Sequence, residues 1–100
     1  MKRYADPGAA IQVSAGSRFA IELEGNPSTG YTWEAHVDSH HLELLGQEFE
    51  PYGFGIGVAG LEILSFRAVA AGETVIRCEY RRPWEQESRG EKQFRVAISE

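Results

Sequence analysis

Few residues in this sequence carry groups that could do covalent or metal chemistry. Cys78 is the single thiol. A reactive thiol needs a neighbouring base or cation to lower its pKa. Cys78 instead alternates in phase with Ile76 and Tyr80, as a buried core thiol does. His36, Asp38 and His40 fall at i, i+2 and i+4, with His41 adjacent. On one extended face, imidazoles and a carboxylate at this spacing could ligate zinc. The competing reading is a polar open face running into a turn. Asp38-Ser39 favours the turn, and no metal is expected. Gly53, Gly55 and Gly57 alternate with Phe54 and Ile56 after Tyr52. A phosphate-cradling glycine loop needs a strand before it and a helix after it, whereas a strand pattern follows here. No serine-nucleophile motif occurs. The sequence is read as a non-enzyme without a cofactor.

Three stretches look built for binding. The first is Asn26-Pro27-Ser28-Thr29-Gly30-Tyr31. Pro27 fixes its own φ and restricts Asn26, and Gly30 permits a backbone conformation that other residues avoid. Asn26, Ser28 and Thr29 can hydrogen-bond nearby backbone, so this stretch reads either as an ordinary turn or as a stiff wedge. The second, Glu50 to Gly60, spaces apolar residues between glycines. Its side chains could fold back on the domain or serve as an adaptable apolar tip, and the tip is favoured because such residues suit a solvated loop poorly. The third, Arg81 to Glu91, holds Arg82-Pro83-Trp84. Trp84 follows a proline in a break of pattern and suits an exposed anchor. Trp33 alternates with Ala35 and Val37 and reads as the core tryptophan. Arg82 could meet a carboxylate, pack on an aromatic ring, or stand solvated.

The elements that must position these stretches are strands. The apolar period is two nearly throughout. Ile11 and Val13 mark strand 1; Phe19, Ile21 and Leu23 strand 2; Trp33, Ala35 and Val37 strand 3. Leu42 to Phe49 is a less regular fourth, and Leu61 to Ala70 a long fifth. Ile76, Cys78 and Tyr80 mark the sixth; Phe94, Val96 and Ile98 the seventh. About seven strands predict an all-β, immunoglobulin-like antiparallel β-sandwich, with a barrel as the alternative. In a sandwich, the loops joining strands 2–3, 4–5 and 6–7 can share one end.

The totals agree. One hundred residues, 42% hydrophobic and 25% charged, suit one domain spanning 1–100. Ten basic against 15 acidic residues give a net charge of −5, which argues against nucleic acid or anionic membrane as a partner. One cysteine allows no intrachain disulfide. MKRYADPGAA has no apolar stretch and is not a signal peptide. The chain reads as cytoplasmic as written, or as periplasmic or secreted with a signal removed. A monomer is expected, with strands 1 and 7 as candidate edges.

With the three stretches in this order, the chain resembles the chagasin-like inhibitors of papain-type cysteine peptidases. That family carries Asn-Pro-Thr-Thr-Gly plus an aromatic, then Gly-x-Gly-Gly, then Arg-Pro-Trp. Asn26 to Tyr31, Gly57-Val58-Ala59-Gly60 and Arg82-Pro83-Trp84 match in register. The resemblance implies a reversible, tight-binding inhibitor whose three loops block a peptidase cleft, with the first loop over the catalytic cysteine. It implies Asn26, Pro27, Ser28, Thr29, Gly30, Tyr31, Gly57, Val58, Ala59, Gly60, Arg82, Pro83 and Trp84 as peptidase-binding residues. Phe54 joins them as the apolar residue of the second loop. Ser28, Ala59 and Glu85 depart from the usual threonine, glycine and glycine, which bears on affinity and target range rather than fold. A positive φ or a very close backbone approach at position 59 would make alanine costly by roughly 1 kcal/mol or displace the loop. The alternative is a non-inhibitory immunoglobulin-like interaction module.

Overall fold

The computed structural model describes residues 1–100. Eight strands follow one another: β1 (Lys2–Tyr4), β2 (Ile11–Ser14), β3 (Arg18–Gly25), β4 (Thr32–His36), β5 (Leu42–Pro51), β6 (Gly60–Ala68), β7 (Gly72–Arg81) and β8 (Gly90–Ser99). The one helical segment is a 3-10 turn, Pro27–Thr29. The strands form two four-stranded sheets, ordered β1-β3-β6-β5 and β2-β8-β7-β4. The architecture is an immunoglobulin-like β-sandwich, and its two separate sheets dispose of the barrel alternative.

The pairings β3–β6, β5–β6, β4–β7 and β7–β8 are antiparallel. The two short strands near the N-terminus add in parallel, β1 beside β3 and β2 beside β8. This corrects one expectation. Strand 7 of the sequence reading is β8, and it is not an edge, because β2 covers its free side. Strand 1 of that reading is β2, which is an edge. The other edges are β1, β4 and β5. The irregularity of the fourth expected strand is a register shift between Leu44 and Gly46 in β5, which a β-bulge produces.

Alternation builds the core. Phe19, Ile21 and Leu23 of β3 and Leu64, Phe66 and Ala68 of β6 face Trp33 of β4, Ile76 and Cys78 of β7, and Phe94, Val96 and Ile98 of β8. Phe19 and Phe66 stack at 5.7 Å between centroids. Burying each large apolar side chain contributes about 1.5–3 kcal/mol. Cys78 lies wholly buried in this layer, and burial pushes its thiol pKa up to about 12. It is therefore a neutral packing group, as its phase in the sequence indicates.

Register fixes where the loops emerge. Gly25 lies opposite Gly60, Gly60 opposite Pro51, and Thr32 opposite Arg81. The β3–β4, β5–β6 and β7–β8 connections therefore leave the sandwich at the same end.

Candidate functional site

Loop 1, residues 26–31, is held by its own short polar side chains. Asn26 caps the 3-10 turn with extended backbone, and its Oδ1 accepts from Ser28 N at 3.2 Å and from Ser28 Oγ at 2.6 Å. Thr29 N and Thr29 Oγ1 both donate to the Asn26 carbonyl, at 3.1 and 2.7 Å. Gly30 N donates to the Pro27 carbonyl at 2.9 Å. Gly30 sits at φ 85°, where a side chain is strained, and a Cβ there would press on Trp84 at 2.8 Å. A hydroxyl is what position 28 contributes to this bracing, so serine suffices there.

The loop is also tied to its neighbours. Asn26 Nδ2 donates to the Gly57 carbonyl of loop 2 at 3.0 Å, and Arg82 Nε of loop 3 donates to the Thr29 carbonyl at 3.1 Å. Arg82 lies over the Tyr31 ring at 4.5 Å and reaches Glu85 at 3.3 Å. Arg82 thus does two of the things its sequence context allowed. It stacks on an aromatic and pairs with a carboxylate, both within this chain. Glu85, one of the departures from the family pattern, serves as that carboxylate.

Below the loops stands an aromatic pillar. Tyr31 stacks on Tyr80 at 5.3 Å, and Tyr80 leans on Trp33 at 4.9 Å. The Tyr80 hydroxyl accepts from Asn26 N at 3.0 Å. Tyr31 is buried, so its side chain supports the loop from beneath, whereas Ser28 and Thr29 are exposed at its tip.

Trp33 bolts the two sheets together under loop 1. Its indole Nε1 donates to the Glu24 carbonyl at 2.8 Å. Its backbone N donates to Glu62 Oε1 at 3.2 Å, and its carbonyl accepts from Gln47 Nε2 at 2.8 Å. Gln47 also donates to Glu62 Oε1 at 2.9 Å. Side chains from one sheet thereby satisfy the unpaired backbone of β4, an edge strand of the other. Glu62 is 2% exposed, and burial raises its pKa against the lowering effect of these two hydrogen bonds. Its Oε2 has no partner.

Loop 2 closes through Tyr52 N donating to the Ala59 carbonyl at 3.0 Å, while the Tyr52 hydroxyl donates to Glu24 Oε1 at 3.0 Å. Desolvation first, and then Glu24, raises the pKa of that hydroxyl. Gly55 and Gly57 take φ of 121° and 79°, and no residue other than glycine has positive φ. Ala59 therefore carries no positive-φ strain, and the backbone there does not require glycine's left-handed freedom. Gly60 is different. A Cβ there would overlap the Glu50 carbonyl oxygen across the β5–β6 pairing. Phe54 and Ile56 stand fully exposed, so the apolar residues do not fold back. Val58 is half-buried.

Loop 3 is closed by Arg89 N donating to the Tyr80 carbonyl at 2.7 Å, and it turns through Glu85 N donating to the Arg82 carbonyl. Arg81 anchors it, pairing with Glu34 Oε2 at 2.7 Å and donating to the Glu85 carbonyl at 3.0 Å. Pro83 and Trp84 are exposed, Trp84 by 72%.

The structure thus brings the fourteen expected residues to one end. Sequence reasoning missed Tyr80, Glu62, Gln47 and Arg89 as supports. Glu62 carried a signal, since it falls in phase with the core residues Leu64, Phe66 and Ala68. The histidines lie elsewhere. β4 stops at His36, whose Nε2 is 2.9 Å from Glu79. Asp38 opens a turn, its Oδ1 near His40 and its Oδ2 near His41. Those contacts and the His40 backbone N–H, the largest influence, lower the Asp38 pKa. The i, i+2, i+4 face does not form, and no three such groups converge as a ligand set.

Comparison with known proteins agrees with this geometry. The family model described as chagasin family peptidase inhibitor I42 matches residues 12–98. Amoebiasin-2 of Entamoeba histolytica is 32% identical over 81 residues, covering 78% of this chain and 66% of its own length. Chagasin of Trypanosoma cruzi is 28% identical over 97 residues, covering 91% of this chain and 88% of its own. The crystal structure of the cysteine protease inhibitor EhICP2 from Entamoeba histolytica shares the fold, with a TM-score of 0.79 at 23% identity over 97% of this chain and 95% of that one. With the match of its family model running through all three loops, the chain belongs to the chagasin family of peptidase inhibitors.

Proposed function

We propose that the chain, acting as one domain over residues 1–100, reversibly inhibits papain-type cysteine peptidases by seating the three-loop end in the active-site cleft. The observation that carries this is the cross-bracing of the loops. Asn26 ties loop 1 to loop 2, and Arg82 ties it to loop 3. A surface preformed in this way loses little conformational entropy on binding.

The wedge is also a poor substrate. Acyl transfer to a thiol needs a carbonyl lodged among oxyanion donors, presented in attack geometry. The carbonyls of Asn26, Pro27 and Thr29 already accept from Thr29, Gly30 and Arg82, and the backbone from Pro27 to Thr29 is a 3-10 turn rather than extended. Loop 1 covers the peptidase thiolate without offering these carbonyls to it. Ser28 and Thr29 form the tip, Trp84 anchors one flank, and Phe54 with residues 57–60 lies on the other. A standard interface of roughly 1,600 Å² in total suits three such contacts.

The test is peptide hydrolysis by papain and related enzymes with increasing inhibitor. Dose-dependent inhibition, competitive with substrate and relieved on dilution, is expected. Failure to slow any papain-type peptidase would remove the reading.

A further inference from the structure

The outer face of the β1-β3-β6-β5 sheet carries a crossing that the three loops do not account for. Arg3 of β1 donates from Nη1 and Nη2 to Oε1 and Oε2 of Glu50 on β5, at 3.0 and 2.9 Å. β3 and β6 lie between those two strands, so the paired side chains span them. Glu22 of β3 stands 3.9 Å from the same guanidinium. Ala20 and Ile63 point to this face, alternating with the core residues Ile21 and Leu64, yet they are 0% and 4% exposed. Ala20 lies opposite Arg3 in register, and Ile63 opposite Glu22. An arginine stem laid over apolar residues shields them in this way while its head stays in water.

The far end of the crossing is the root of loop 2. Glu50 is next to last in β5. β5 is an edge strand, paired on one side only, and its residues are exposed beyond Leu42. The other limb of loop 2 returns at Gly60 into β6, which is paired on both sides. The β5 limb is therefore the one free to swing. Two side-chain ties restrain it on the outer face: Glu50 to Arg3, and the Tyr52 hydroxyl to Glu24 Oε1 of β3 at 3.0 Å. A bidentate arginine–carboxylate pair fixes direction as well as distance. The hydrogen bonds from Arg3 hold the Glu50 carboxyl below the usual carboxylate range.

Resting on the inhibitor reading above, we infer that Arg3 is a positioning residue for inhibition. From the opposite edge of the sheet it sets the direction in which loop 2 leaves β5, and so holds that loop beside the wedge.

The experiment follows Arg3→Ala, Arg3→Lys, Glu50→Gln and the Arg3→Ala/Glu50→Gln double variant. Hydrogen exchange of the free proteins and inhibition of papain and related enzymes are both read. The Tyr52 amide reports on loop 2, because its bond to the Ala59 carbonyl closes that loop. Arg3→Ala and Glu50→Gln should each quicken its exchange, and raise the inhibition constant, by roughly three- to fivefold. Amides of β3 and β6, and the Thr29 amide of loop 1, should exchange as in the wild type. Arg3→Lys should recover part of both effects, since lysine supplies the charge without the fork. The double variant should lose no more than either single one. Unchanged Tyr52 exchange in Arg3→Ala, additive losses in the double variant, or faster exchange throughout β3 and β6 would overturn the positioning role. Faster Tyr52 exchange with an unchanged inhibition constant would overturn it equally. A wild type that inhibits no papain-type peptidase removes the inhibitor reading and the part of Arg3 in it, while the exchange data still decide whether Arg3 holds loop 2.

Discussion

Arg82→Ala removes the strut between loops 1 and 3. Three contacts go with it: the hydrogen bond to the Thr29 carbonyl, the stack on Tyr31 and the pair with Glu85. A hydrogen bond from a charged donor contributes about 1.5–3 kcal/mol. The Arg82 side chain is 37% exposed, so solvent screening puts it near the lower end, about 1.5 kcal/mol. The stack adds about 0.5–1 kcal/mol at such a site, and the partly exposed pair with Glu85 only a few tenths. The sum, about 2–3 kcal/mol, is what these contacts contribute to holding loop 1 in its clamped form. Their loss shifts the balance of clamped and open loop by that amount, and the inhibition constant rises with the loss of the clamped fraction, by up to roughly 30- to 150-fold. Two assays read it together. One is inhibition of papain. The other is hydrogen exchange at the Thr29, Gly30 and Tyr31 amides of the free protein, which should quicken while the core strands keep their protection. Exchange unchanged in the free variant, with inhibition nonetheless weakened, would show that Arg82 acts on the peptidase and not as a clamp.

Other variants probe the anchor, the close-packed Gly60 and the buried carboxyl. Trp84→Ala should weaken inhibition by about 2 kcal/mol, near 30-fold, as loss of a hot-spot anchor does; thermal melting should not change, because the indole is largely exposed. Gly60→Ala forces a Cβ onto the Glu50 carbonyl and should destabilise by about 1–3 kcal/mol, lowering the melting temperature by about 4–8 °C for each kcal/mol. Glu62 has a folded pKa above its ordinary 4.5, so its contribution to stability is present below that value and is lost as the pH rises through the folded pKa. Glu62→Gln does not titrate, and denaturant melts should show its stability relative to the wild type rising as the pH is raised above 4.5; a flat difference would mean that Glu62 does not titrate with folding.

Most strands were legible because a half-buried strand writes itself as a period of two; β5, exposed beyond Leu42 and shifted in register between Leu44 and Gly46, shows that period least. β1 escaped, since three residues hold too little alternation and its partner β3 lies beyond an intervening strand. Loop 1 was legible in its internal bracing, which joins residues two or three apart. Its external bracing was not, because Asn26 meets Tyr80 and Thr29 meets Arg82 across more than fifty residues. Tyr31 shows the resulting limit. The motif grouped it with the binding residues, and only the sandwich reveals that its ring is buried beneath Arg82. Glu62 shows the opposite: a carboxylate in core phase marked an unusual site, but its partners come from two other strands. The concern over Ala59 turned on a φ value, a property of the folded loop.

The central claim is that the three-loop end occupies a papain-type active site. Titrating a fixed, active-site-counted amount of such a peptidase with this protein tests it most directly, with residual peptide hydrolysis, labelling of the peptidase thiol by an alkylating reagent and the inhibitor's mass followed in parallel. The account predicts that hydrolysis falls to zero at one equivalent, that the thiol is shielded from the reagent, and that the inhibitor is recovered intact. A stable complex in which the peptidase still cleaves peptide and its thiol still alkylates would contradict it.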